Sequence, residues 1–92
     1  MSLLSDRDIQ ERLANLPNWT LSNRQIELTR RFQDFIEAIA FVNKLVEPAE
    51  AAGHHPDITI SYNKVSIALT THDAGGLTEK DFDLAKAISA IA

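Results

Sequence analysis

Two runs of strict alternation meet at Asn63-Lys64, and this pattern constrains the chain more than any other. Ile58, Ile60 and Tyr62 alternate with Thr59 and Ser61; Val65, Ile67 and Leu69 then alternate with Ser66, Ala68 and Thr70. Successive side chains of a strand point to opposite faces, so a period of two marks a half-buried strand. Asn tolerates positive φ, and Asn63-Lys64 suits a tight turn between the two runs. The stretch predicts a hairpin with one wet face, whose apolar side must be covered by something else.

The covering elements are written on either side of it. Upstream, Leu4 to Leu16 reads as a helix capped by Ser5 with Asp8 three residues on. Leu4 and Ile9 form a hydrophobic staple there, Ile9, Leu13 and Leu16 make the apolar stripe, and Pro17 ends it. Trp19–Leu21 and Ile26–Phe32 read as strands joined through Ser22-Asn23-Arg24. Ile26, Leu28 and Phe32 share one parity, broken by Arg30. Asp34 to Ala52 is a long helix with Asp34 as N-cap. Phe35, Ile39, Val42 and Val46 form its stripe for packing on a sheet, and Ala38, Phe41 and Leu45 form a second stripe open to a helix–helix contact between subunits. Pro48 should kink or loosen its last turns, and Gly53 is a natural residue to stop it. Leu77 to Ile91 is a final helix with Thr78 as cap, Asp81 at its third position and Leu77 stapled to Phe82; Phe82, Ala85, Ile88 and Ile91 or Ala92 face the core.

The expected fold class is therefore α+β: the order α-β-β-α-β-β-α, a four-stranded antiparallel sheet with the helices packed on one face. With 92 residues, residues 1–92 make a single domain whose small core favours an oligomer. The absence of cysteine excludes disulfides and thiolate chemistry. A net charge of -4 argues against a nucleic-acid surface, and the Arg30-Arg31 doublet reads as a solvated strand end. No stretch approaches the roughly 20 apolar residues of a membrane span, and Met1 to Asp8 lacks a signal-peptide pattern. Cytoplasmic location is the expectation.

The chemistry gathers at the hairpin's open end. His54 and His55, in Gly53-His54-His55-Pro56-Asp57, precede its first strand, and His72, in Thr71-His72-Asp73-Ala74-Gly75-Gly76, follows its second. With Asn63-Lys64 as the turn, His55 stands opposite His72. Asp57 and Asp73 lie alongside. Adjacent histidines on extended chain point apart, and no His-x-His or His-x-x-x-His pair exists, so a metal is not expected. Nor is a cofactor. Ser61 and Ser66 lie in strands with no nucleophile elbow. Imidazole titrates near neutral pH, so acid/base catalysis suits the set best.

The segments Glu50-x-x-x-His54-His55-Pro56-Asp57, Tyr62-Asn63-Lys64-Val65 and Thr71-His72-Asp73-x-Gly75-Gly76-Leu77-Thr78-x-x-Asp81 closely resemble the pterin-4a-carbinolamine dehydratase family. Trp19 and the upstream element order fit as well. Gly53 is a departure, because some members carry an acid immediately before the histidine pair. The resemblance implies a metal-free hydro-lyase that converts 4a-hydroxytetrahydropterin to quinonoid dihydropterin and water, recycling the cofactor of aromatic amino acid hydroxylases. It implies His54 and His72 as acids for the leaving hydroxyl and His55 as pterin ligand and base. Glu50 or Asp57 would orient an imidazole, Trp19 would wall the pocket, and Pro56, Thr71 and Asp73 complete the binding set. Asp81 is expected to cap the last helix rather than touch substrate. A small-molecule pterin is the implied partner, with a homodimer or homotetramer. The alternative is a dimerisation or assembly cofactor, or another pterin-binding protein, acting through its helical surface.

Overall fold

The computed structural model describes residues 2–91. Its elements are α1 (Asp6–Leu13), β1 (Trp19–Ser22), β2 (Gln25–Arg31), α2 (Phe35–Ala52), β3 (Asp57–Ser61), β4 (Lys64–Leu69) and α3 (Glu79–Ser89), with a 3-10 turn at His72–Ala74. The strands form one antiparallel sheet in the order β1-β2-β4-β3. Ile26, Leu28, Val65, Ile67 and Leu69 are buried on its inner face and join Ile9, Phe41, Leu45, Phe82, Leu84 and Ile88 of the helices in one core. This is the α+β order that the patterning predicts. Each fully buried Leu, Ile or Phe contributes about 1.5–3 kcal/mol relative to exposure, so one shared core is what holds sheet and helices together.

Local capping follows the sequence closely. The Ser5 hydroxyl accepts the Asp8 N–H at 3.1 Å, and Leu4 is half-buried against the core. Asp34 Oδ1 accepts the Glu37 N–H at 2.9 Å, while Glu37 Oε1 accepts the Gln33 N–H at 3.0 Å. These bonds satisfy helix-start donors that otherwise lack partners.

Several features of the fold differ from expectation. The hairpin turn is Tyr62-Asn63, because Ser61 pairs with Lys64, and Tyr62 rather than Asn63 takes the positive φ, at 54°. Asn63 is tied to the end of β2, its Nδ2 donating to the Phe32 carbonyl at 2.9 Å and its own carbonyl accepting the Phe32 N–H at 2.8 Å. The register consequently moves by two residues, pairing Ile58 with Ile67 and Ile60 with Val65. An even shift keeps every side chain on its predicted face. Continued past the strand ends, it sets His55 against Thr70 instead of His72. The edge strand β3 is exposed along its whole length.

The stripe of α2 that faces the core is the second one, while Ile39 and Val42 of the first are half-buried. Ala38, Phe41 and Leu45, continued by Ala49, are the buried face, packed on α3 and β4. Phe35 and Val46, assigned to the sheet by periodicity, are exposed, as is Ile36. Small residues at both ends of the buried stripe allow close approach to α3. Ala49 also lies one turn before His54 and accepts its N–H at 3.1 Å, so this face must turn toward the site. The helix runs through Pro48 to Ala52, its expected end. The missing N–H of Pro48 costs one intrahelical bond, but Leu45 and Ala49 on either side are both anchored in the core.

Arg30 is half-buried rather than a solvated strand end. Its guanidinium carbon lies 4.7 Å from the Phe41 ring centroid, and Nη1 donates to the Ile91 carbonyl at 3.1 Å. The aliphatic stem covers apolar surface while the charge meets a ring face and the end of α3. Ile91 packs partly against the core, and Ala92 lies outside the described residues. Trp19 is buried within the core, and its Nε1 donates to Ser89 Oγ at 2.8 Å.

Candidate active site

The site begins where α2 stops. Gly53 has a φ of 60°, left-handed backbone in which a residue with a Cβ costs roughly 1–2 kcal/mol. Its N–H bonds to the Glu50 carbonyl at 3.2 Å, while the His54 N–H reaches back to Ala49. This pair of bonds is the Schellman closure of a helix. The reversal separates the adjacent histidines. His54 turns inward and is buried, while His55 is exposed.

His54 Nε2 lies 2.6 Å from Asp81 Oδ1. Asp81 is fully buried in the first turn of α3. Its Oδ2 accepts the Thr71 hydroxyl at 2.8 Å and the Thr78 N–H at 2.9 Å. Thr71 Oγ1 and Thr78 Oγ1 are 2.8 Å apart; the Thr71 proton is committed to Asp81, so Thr78 donates in that contact. One carboxylate thereby caps α3, fixes the loop that carries His72 and grips His54. Anions are favoured at a helix N-terminus, which suits this placement. In neutral His54 the contact directs the ring proton to Nε2 and leaves Nδ1 for proton exchange.

His55 has a corresponding partner at the surface, its Nε2 contacting Glu50 Oε2 across the helix end. His72 opens the 3-10 turn and is exposed. All three histidines line one depression of about 280 Å³, with Gly53, Thr70, Thr71, Asp73 and Lys80. The entire β3–β4 hairpin separates His72 from His55 in sequence, and the pairing of its two strands closes that distance.

Other expected site residues fall in different places. Glu50 and Pro56 line a neighbouring apolar cleft of about 200 Å³, shared with Val42, Val46, His55 and Ile58. Asp57 starts β3 and is exposed; it does not hold an imidazole, because Glu50 and Asp81 occupy that role. Trp19 is not among the residues lining the histidine depression, its indole being committed to the core and to Ser89. Lys80 and Thr70 join the lining unanticipated, and Asp81 does more than cap. A carboxylate three residues after a capping Thr usually faces water. The burial of Asp81 shows only in the contacts that His54 and Thr71 bring to it from other segments. Among the described residues no three His, Asp or Glu side chains gather closely enough to hold a metal ion, and no helix is long and apolar enough to cross a membrane.

Comparisons with known proteins identify the family of the chain. The family model described as pterin 4 alpha carbinolamine dehydratase matches residues 2–91. A protein of a Nostoc species, provisionally named a pterin-4-alpha-carbinolamine dehydratase, is 68% identical over 97% of this chain and 96% of its own. One of the same provisional name from Acidobacterium capsulatum is 58% identical over 99% of each. Among solved structures, a transcriptional coactivator/pterin dehydratase from Brucella melitensis superposes with a TM-score of 0.92 at 33% identity, covering 97% of both chains. A pterin dehydratase-like protein identified as a RuBisCO assembly factor in the alpha-carboxysome shares the fold, with a TM-score of 0.63 at 22% identity over 78% of this chain and 83% of that one. A match that runs almost end to end, over a fold whose histidine loops are built as described, places the chain in the pterin-4a-carbinolamine dehydratase family.

Proposed function

We propose that the protein dehydrates 4a-hydroxytetrahydropterin, releasing water and quinonoid dihydropterin. The observation that carries this reading is the convergence of all three histidines on one depression, two of them gripped at Nε2 by a carboxylate. In the reaction the C4a–O bond breaks, an acid protonates the departing hydroxyl, and a base removes the proton of the adjacent ring nitrogen. His54 and His72 serve as acids; His55 binds the pterin and takes the ring proton. Orientation of His54 by Asp81 and of His55 by Glu50 keeps each ring's other nitrogen available. The physiological role that follows is recycling of the pterin used by aromatic amino acid hydroxylases. Purified protein should accelerate decay of the 4a-hydroxypterin absorbance, and His54→Ala or His72→Ala should each slow it about 10²–10⁴-fold. Decay no faster than in buffer would sink the reading.

A second reading concerns assembly. Phe35, Ile36 and Val46 are exposed apolar residues on α2, and such a surface favours a homodimer, a homotetramer or a foreign partner. The stripe Ala38-Phe41-Leu45 is unavailable for this, being core. Val46→Glu should therefore lower the mass measured by light scattering; an unchanged mass counts against this surface.

A further inference from the structure

The geometry points to a second subsite beside the histidines that takes an anionic substituent of the pterin, with Arg24 as its specificity-determining residue. The inference rests on the dehydratase reading.

His72 and Thr70 line two depressions at once. One holds the three histidines. The other, about 790 Å³, continues along Asn23, Arg24, Gln25, Gly75 and Gly76. A pterin bound for acid/base work at C4a fills the first with its fused rings, and its side-chain substituent then needs room beyond His72. The larger groove is the space that shares His72 with the reacting centre.

The groove is built rather than incidental. Asn23 adopts a φ of 57° in the β1–β2 turn, presenting Arg24 at the tip. The Thr70 hydroxyl donates to the Arg24 carbonyl at 2.6 Å, fixing that turn to the segment that leads to His72. Gly75 and Gly76 of the groove's lining belong to a tight loop closed by the Thr71–Gly76 bridge, with Gly75 at a φ of 79°.

Charge selects the ligand class. No carboxylate lines this groove. Among the described residues Arg24 makes no ion pair, although the chain carries a net charge of -4. Asp6 lines another depression that Arg24 also borders and does not pair with it. Lys80, the cation of the histidine depression, shares that lining with the carboxylate of Asp73. A guanidinium with five donors suits a carboxylate or a phosphate monoester.

The test uses equilibrium binding and turnover together. Fluorescence titration compares 6-carboxypterin with 6-methylpterin, and a phosphate monoester of 6-hydroxymethylpterin separates phosphate from carboxylate as the preferred anion. Wild type should favour an anionic pterin, and Arg24→Gln should cut that preference about tenfold, the scale of a partly exposed charged hydrogen bond. Arg24→Glu should invert it. Arg24 is exposed on a turn, and circular dichroism confirms the fold of both variants. If both pterins bind and the protein dehydrates the 4a-hydroxypterin, but the preference stays within twofold of wild type in both variants, the subsite is overturned and the dehydratase reading stands. If the protein neither binds these pterins nor dehydrates the 4a-hydroxypterin, both fall together.

Discussion

Two histidine–carboxylate pairs flank the same helix end, alike in chemistry and opposite in environment. In the His54–Asp81 pair the side chains are 10% and 0% exposed; in the His55–Glu50 pair they are 66% and 67% exposed. A buried charge must be matched by donors, and Asp81 has three: the His54 ring, the Thr71 hydroxyl and the Thr78 N–H. An exposed pair is screened by water and salt and contributes at most about 1 kcal/mol. The first pair is thus part of the scaffold as well as of the proposed chemistry. The second acts on one ring alone, and the fold does not depend on it.

The sharpest way to break this comparison is Asp81→Asn. The amide keeps the size but loses the charge that faces three donors, so stability should drop by about 3 kcal/mol. Turnover should fall on the order of a hundredfold as His54 loses its orientation. Urea melts and 4a-hydroxypterin decay read the two effects separately. Wild-type turnover in a folded Asp81→Asn protein would reduce Asp81 to a helix cap. Glu50→Gln should leave the melt almost unchanged and slow turnover about fivefold, the kinetic equivalent of ~1 kcal/mol. High salt should reproduce much of that loss in wild type and little of it in the variant; a loss as large as that of Asp81→Asn would erase the distinction between the pairs. Gly53→Asp is the mildest probe. A Cβ there meets nothing within 4 Å, so only the left-handed backbone resists, costing about 1 kcal/mol. Turnover should stay within about twofold by the same assay, because neither His54 nor His55 needs a third carboxylate.

Local rules were enough for most elements. Ser5, Asp34 and Thr78 start the helices because their side chains or backbone meet the unsatisfied donors of a first turn. Period-two alternation located both hairpins and their faces. What these rules cannot see is direction in space. Phe35-Ile39-Val42-Val46 and Ala38-Phe41-Leu45 are equally regular, and periodicity favours the bulkier stripe. The helix instead rotates so that Ala49 and His54 meet α3. Asn63 likewise sets the hairpin register by bonding a strand that lies 31 residues earlier. Trp19 was expected near substrate because the family pattern includes it, yet its indole is spent on Ser89, 70 residues away.

By itself the chain's order of residues determined the elements, the sheet faces, the stop at Gly53 and the meeting of three histidines at one sheet end. Each of these follows from interactions between near neighbours or from the pairing of adjacent strands. Tertiary structure alone decided which histidine is buried and which carboxylate holds it. Those outcomes depend on contacts between α2, the His72 loop and α3, and desolvation gives such contacts their energy only once the core has closed.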